Sequence, residues 1–214
     1  MVLEVTMRKL MLVVLLMTAS CLLAQEPKPL PLPPPQTDGG RPLMQVLNDR
    51  KTTRDFAPDK LSPQVLSNLL WAAFGVNRPD GRRTAPSAMN KQEIDIYVAT
   101  GEGLFVYNAQ VNRLDPVLAQ DVRSATGTQS FVAAAPVNLV YVADLAKAGS
   151  EPDADLYTAA DTGFLAQNVY LYCASEGLAT VVRGSVDRAT LAKAMKLRPE
   201  QKIILAQTVG YPKK

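Results

Sequence analysis

The stretch from Asp153 to Glu176, closed by Gly177, reads as one long helix, and between Ala159 and Ala174 its only charge is Asp161. A helix that is apolar nearly all round cannot lie on a wet surface. It is buried in a core or shared between subunits. Asp161, Gln167 and Asn168 interrupt it too often for a membrane span. A chain organised round such a helix needs other layers to cover it, and its neighbours in sequence supply them.

Leu43 to Leu47 reads as a short amphipathic helix. Ser62 is a helix N-cap with Pro63 at the first helical position; Val65, Leu66, Leu69, Leu70, Ala73 and Phe74 follow at helical spacing, and Gly75 ends the run. Asn77 to Thr84 is a polar loop. Ile94, Ile96 and Val98 alternate with Asp95 and Tyr97 as a half-buried strand, and Gly101-Glu102-Gly103 turns it into a second, Leu104 to Tyr107. Asp121 to Thr126 is expected to be helical. Val137 to Ala143 is an apolar strand with Asn138 as its polar break. A short strand at Thr180 to Val182, a helix capped by Asp187 and running through Met195, and a last strand at Ile203 to Val209 complete the order. Helices mixed with a few strands, and no repeat, predict an α+β layered domain.

The first forty residues read differently. Arg8-Lys9 precedes an unbroken apolar run from Leu10 to Met17, and Leu22-Leu23-Ala24 before Gln25 suits cleavage, so residues 1–24 are expected to be a signal peptide. Thr18-Ala19-Ser20-Cys21 also resembles a bacterial lipoprotein box. Either route makes the mature protein periplasmic or otherwise exported, with no membrane span. Residues 25–40 are rich in proline and read as a polyproline II tether with no core-forming power, placing the folded domain at 41–214.

What chemistry is open follows from what is missing. The chain has no histidine, which removes Ser-His-Asp and Cys-His catalysis and the imidazole zinc sites. Two cysteines, Cys21 and Cys173, build neither a metal cage nor a disulfide scaffold. A net charge of +3 is too slight to argue for nucleic acid as a partner. Gly101-Glu102-Gly103 lacks a third glycine and leads into a strand, so it is no dinucleotide fingerprint.

Three clusters remain. Arg50-Lys51-Thr52-Thr53-Arg54 sets three cations and two hydroxyls in five residues, which suits a phosphate or forms a solvated basic loop. Pro86-Ser87-Ala88-Met89-Asn90-Lys91-Gln92 offers small residues for close approach and amides that can read a heterocycle. Val181-Val182-Arg183-Gly184 ends a strand on a glycine whose backbone N–H could face a ligand.

In this order and spacing, together with the closing Gly210-Tyr211-Pro212-Lys213-Lys214, they resemble the FMN-dependent nitroreductase superfamily over about Leu43 to Lys214. The hairpin Gly103-Leu104-Phe105-Val106-Tyr107 is similar to the branch of thiazole- and oxazole-forming azoline dehydrogenases. The resemblance implies a helix-flanked, mainly antiparallel sheet in an obligate homodimer, with FMN at the subunit interface and hydride transfer to or from a small organic substrate. It places Arg50, Lys51 and Lys213 or Lys214 on the phosphate. Thr52 and Ser87, the latter within Pro86-Ser87-Ala88 of the partner, would meet the ribityl and phosphate region. Arg54 and Asn90 would address the pyrimidine edge, and the backbone N–H of Arg183 or Gly184 would point at flavin N5. Many family members are acidic where Arg183 stands, so only a backbone role carries over there. No catalytic side chain is assigned, since the cofactor does the central chemistry. A flavin-binding module without turnover and an interaction scaffold without cofactor are the alternatives. Export away from NADH and NADPH points to reduction by an organic substrate or a redox partner, with Arg78, Arg82 and Arg83 of the loop 77–83 suited to an anionic substrate or acidic partner.

Overall fold

The computed structural model describes residues 28–149 and 152–214. The expected signal peptide and Cys21 lie outside them. Seven strands form one antiparallel sheet in the order β1-β4-β3-β2-β5-β7-β6. These are β1 Leu30–Pro31, β2 Ile94–Thr100, β3 Gly103–Asn108, β4 Arg113–Leu118, β5 Val137–Asp144, β6 Ala179–Arg183 and β7 Gln201–Gly210. Six α-helices accompany them among the described residues: α1 Leu43–Asp49, α2 Pro63–Phe74, α3 Phe131–Ala134, α4 Leu145–Ala148, α5 Ala154–Glu176 and α6 Arg188–Ala194.

Strand alternation divides the core between the two faces. Ile96, Val98, Leu139 and Tyr141 point to the face covered by α2 and α5, where they meet Leu69, Leu70, Leu165, Val169 and Cys173. Tyr97, Ala99, Val140 and Val142 point the other way, onto Leu191 and Met195 beside α6. On α5 the buried residues Thr158, Asp161, Thr162, Leu165, Ala166, Val169 and Cys173 recur at helical spacing. Burying Leu165 and Val169 contributes about 1.5–3 kcal/mol each. Ser62 caps α2 through its hydroxyl, which accepts from Val65 N at 3.2 Å. Gly177 ends α5 in the left-handed conformation, with φ 70°.

The helix α5 is covered by its own protomer on one face only: Leu156, Ala159, Ala160, Gly163, Phe164 and Gln167 are exposed. Two features depart from the expectations. The region expected to be helical at 121–126 is a 3-10 turn confined to Arg123–Thr126. And the proline-rich segment is no tether. Leu30 pairs with Leu114 and Pro31 with Arg113, while Leu32 is buried. The carbonyl of Pro33 accepts from Ser67 Oγ (2.6 Å) and Asn112 Nδ2 (2.7 Å), and that of Pro34 from Gln64 Nε2 (3.0 Å). Prolines lack N–H donors but keep their acceptors, and an edge position demands little more. The strand β4 was hidden by Pro116, which is tolerated because it falls where the β3–β4 register shifts.

Candidate functional site

Arg50 follows α1 directly, its N–H closing the helix on Val46 O at 2.9 Å. The chain then runs along the free edge of β6. Thr53 N–H donates to Thr180 O (3.0 Å), Ala57 N–H to Tyr211 O (2.9 Å) and Lys213 N–H to Asp55 O (3.2 Å), with Phe56 bridging Pro212. Pairing the tail of β7 with this loop carries Lys213 beside Arg50 and Lys51. The three cations share the wall of a cleft of about 720 Å³ that Tyr170, Ala174 and Thr180 also line. None of them takes part in an ion pair among the described residues. Asp49, on the same wall, is committed to Arg41, whose hydrogen bond holds its carboxyl below the ordinary range. Asp55 lines the cleft as well. Three cations outside any ion pair among the described residues are a donor set suited to a phosphate.

One side chain ties this loop to the sheet. Tyr170 OH accepts from Val182 N at 3.0 Å and shares a hydrogen bond with Thr52 Oγ1 at 3.0 Å. The Arg50 guanidinium lies over its ring, 5.4 Å from the centroid. Tyr170 was not singled out in the sequence, where it lies in an apolar run. The available signal was its phenol, which needs a partner when half-buried. Thr180 O and Val182 N both face the outer edge of β6, and Gly184 follows directly after the strand's last residue. The Arg183 side chain takes the opposite course, into the interior. Arg54 and Lys214 are exposed and do not line the cleft.

The second cluster is assembled separately. Ala88 N–H donates to Asp161 Oδ2 on α5 (2.8 Å), Gln92 N–H to Ser87 Oγ (3.0 Å), and Gln92 Nε2 to Asn90 Oδ1 (3.1 Å). Met89, Asn90 and Gln92 all have φ between 49° and 54°. Three non-glycine residues held left-handed in four positions store strain that these bonds keep in place, as functional loops do. Pro86 and Asn90 are exposed, Ser87 and Ala88 half-buried. Beneath them Glu93 is 2% exposed with neither carboxyl oxygen hydrogen-bonded. Burial, and then the nearby charge of Asp161, push its pKa up. The anchors of the two clusters, Asp161 and Tyr170, lie nine residues apart on α5, about 14 Å along its axis. Within one protomer the clusters are therefore apart.

The loop 77–83 is tied down. Arg83 donates to Gln92 Oε1 (2.8 Å) and Phe74 O (3.0 Å) and covers the Phe74 ring, so it supports the second cluster from behind. Arg78 donates to Asn77 Oδ1 and Arg83 O, and Arg82 pairs with Asp80 at 3.6 Å. The expected anion-receiving patch is thus three committed side chains. Local loop geometry consumes them.

A helix-flanked antiparallel sheet whose edge carries a basic cleft defines the class: an α+β protein of the nitroreductase fold. The chain belongs to the Nitroreductase family, whose profile matches residues 47–211. It is 30% identical over 169 residues to a protein of Methanocaldococcus jannaschii that carries a provisional nitroreductase name, covering 73% of this chain and 85% of that one. A crystal structure from Ralstonia eutropha JMP134, also provisionally named a nitroreductase, superposes with a TM-score of 0.84 at 42% identity, over 90% of this chain and 93% of that one. A third, from Desulfovibrio desulfuricans and in complex with FMN, has a TM-score of 0.62 at 20% identity, covering 82% and 89% of the two chains.

Proposed function

We propose that this protein is an FMN-dependent oxidoreductase that works as a homodimer and passes hydride to or from a small organic substrate. The observation that carries the reading is the meeting of Arg50, Lys51 and Lys213, none of them in an ion pair among the described residues, in one cleft on the β6 edge. Those three would hold the phosphate, Thr52 and Tyr170 would steady the loop, and the Gly184 N–H would face the ring system. When bound, FMN supplies a two-electron centre at N5 that needs no protein acid or base for its central step.

The exposed face of α5 supports the homodimer reading. Its exposed face carries Leu156, Ala160, Gly163, Phe164 and Gln167. Gly163 sits mid-helix, where glycine is unfavourable by roughly 1 kcal/mol against alanine, yet a Cβ there would meet nothing within 4 Å. Nothing in its own protomer calls for a glycine, whereas close approach of a second helix does. Packing two α5 helices antiparallel about an axis near residues 163–167 sets the Asp161 level of one against the Tyr170 level of the other. The partner's strained Ser87–Asn90 loop is then delivered to the Arg50–Lys213 cleft, completing a site that one protomer leaves open.

Flavin absorbance in the purified protein, a preference for FMN over FAD on reconstitution, and a dimer by light scattering are expected. Arg50→Ala is expected to weaken FMN binding by about 1.5–3 kcal/mol, the loss of a charge-assisted bond. Flavin affinity equal to the parent would return the basic loop to a solvated role, and FMN bound without turnover of any reductant would make the protein a binding module. We further propose export behind residues 1–24, with reduction by an organic donor or redox partner. Rapid bleaching by micromolar NAD(P)H in a cytoplasmic protein overturns that part.

A further inference from the structure

Arg183 is 4% exposed. Its guanidinium donates through Nε to Thr208 Oγ1 (3.1 Å), through Nη1 to Thr126 O (2.7 Å) and through Nη2 to Asn138 Oδ1 (3.1 Å). All three acceptors are neutral, and no carboxylate pairs with it among the described residues. The space is tailored to it. A Cβ on Gly127 would fall 1.9 Å from Arg183 Nη1 and 3.0 Å from Gln129 Oε1, an oxygen that is itself buried without a hydrogen bond. Burial lowers its pKa to about 10, which leaves it charged at neutral pH.

A cation held away from water without a counter-charge is costly even when hydrogen-bonded, and a neutral side chain could fill the space and meet fewer demands. The charge itself is what the arrangement preserves. Its place in the fold indicates why. Arg183 is the last residue of β6, the strand whose outer edge presents Thr180 O and Val182 N to the basic loop and Tyr170, and Gly184 follows it in the chain. Its hydrogen bonds carry the guanidinium inward from that strand end, over Thr208 of β7 to Asn138 of β5. The charge is therefore inside the protein, where an electrostatic field is screened less than in water.

We propose that Arg183 acts as a fixed, uncompensated positive charge that raises the reduction potential of FMN bound at the β6 edge, favouring a flavin that accepts hydride from its substrate. This rests on the FMN reading above. A flavin that takes up two electrons and one proton gains one negative charge, and a nearby cation with no counter-ion lowers the energy of that charged form. A carboxylate at position 183 would act in the opposite sense.

The test is potentiometric titration of the FMN-loaded protein, with sulfite binding as a second readout because the sulfite adduct is also anionic. Arg183→Met removes the charge, Arg183→Lys keeps it, and Gln129→Glu leaves Arg183 in place while supplying the missing counter-charge. Arg183→Met and Gln129→Glu are each expected to weaken binding of reduced relative to oxidised FMN at least tenfold, equivalent to about 30 mV for a two-electron couple, and to weaken sulfite binding in parallel. Arg183→Lys should stay within threefold of the parent. A folded Arg183→Met protein with the parental potential overturns the proposal. If that variant does not fold, a parental potential in Gln129→Glu overturns it instead. Failure of the unaltered protein to take up FMN is visible before any variant is made, and refutes the cofactor reading and this inference together.

Discussion

Replacing Gly163 by leucine separates two pictures of α5 by the sign of its effect. In an isolated protomer Gly163 is exposed, and a Cβ added there meets nothing within 4 Å. Leucine is a strong helix former, so the substitution should stabilise a monomer by roughly 0.8–1 kcal/mol per chain. If two α5 helices cross at this glycine, the same side chain must be accommodated in a close helix–helix contact. Overpacking of that kind is destabilising by about 1–3 kcal/mol, and a two-fold axis applies it twice. The dimer is then weakened by about 2–6 kcal/mol, a dissociation constant at least roughly thirtyfold higher. Sedimentation velocity across a concentration series reads that shift directly, and a parallel FMN titration asks whether the cofactor site fails with the interface. A Gly163→Leu protein with unchanged association, unchanged FMN affinity and a higher melting temperature would refute the shared-site geometry.

Tyr170→Phe keeps the ring beneath Arg50 but removes the hydroxyl between Thr52 Oγ1 and Val182 N, so about 1–2 kcal/mol of stability and a several-fold loss of FMN affinity are expected. Stability lost with FMN affinity intact would show that the tyrosine holds the loop without serving the cofactor. The Glu93 carboxyl has a raised pKa in the folded state, so the native protein holds this proton more tightly than the unfolded chain does. Its penalty is absent below the ordinary carboxylate range near pH 4.3, grows as pH rises, and is complete above the raised value. Glu93→Gln should therefore melt higher than the parent at pH 8 and equal it at pH 4; a constant difference between the two pH values contradicts the assignment. Leu32→Ala should destabilise by about 2 kcal/mol in urea, whereas Leu30→Ala, 45% exposed, should change little. Two parental curves would make the proline-rich arm a spacer after all.

The helices α2 and α5, the strands β2, β5 and β7 and the caps at Ser62 and Gly177 were legible in the sequence because each is written in contacts three or four residues apart, or in strict alternation. The order of the three clusters was enough to anticipate the family. The arm at 28–40 was misread because prolines advertise their missing donors and conceal their carbonyls, whose partners Gln64, Ser67 and Asn112 are distant in the chain. Tyr170 was invisible for a related reason. Its meaning lies in Thr52 and Val182, and sheet register alone brings those to it. Asn138 read as a mere polar break in β5, yet it accepts from both Arg183 and Thr208. Local pattern determined which residues form helices and strands and which clusters they carry. Tertiary packing decided that Lys213 meets Arg50, that Arg183 turns inward without a counter-charge, and that half of α5 is left uncovered. Such choices depend on how layers and edges meet, and no periodicity along the chain encodes them.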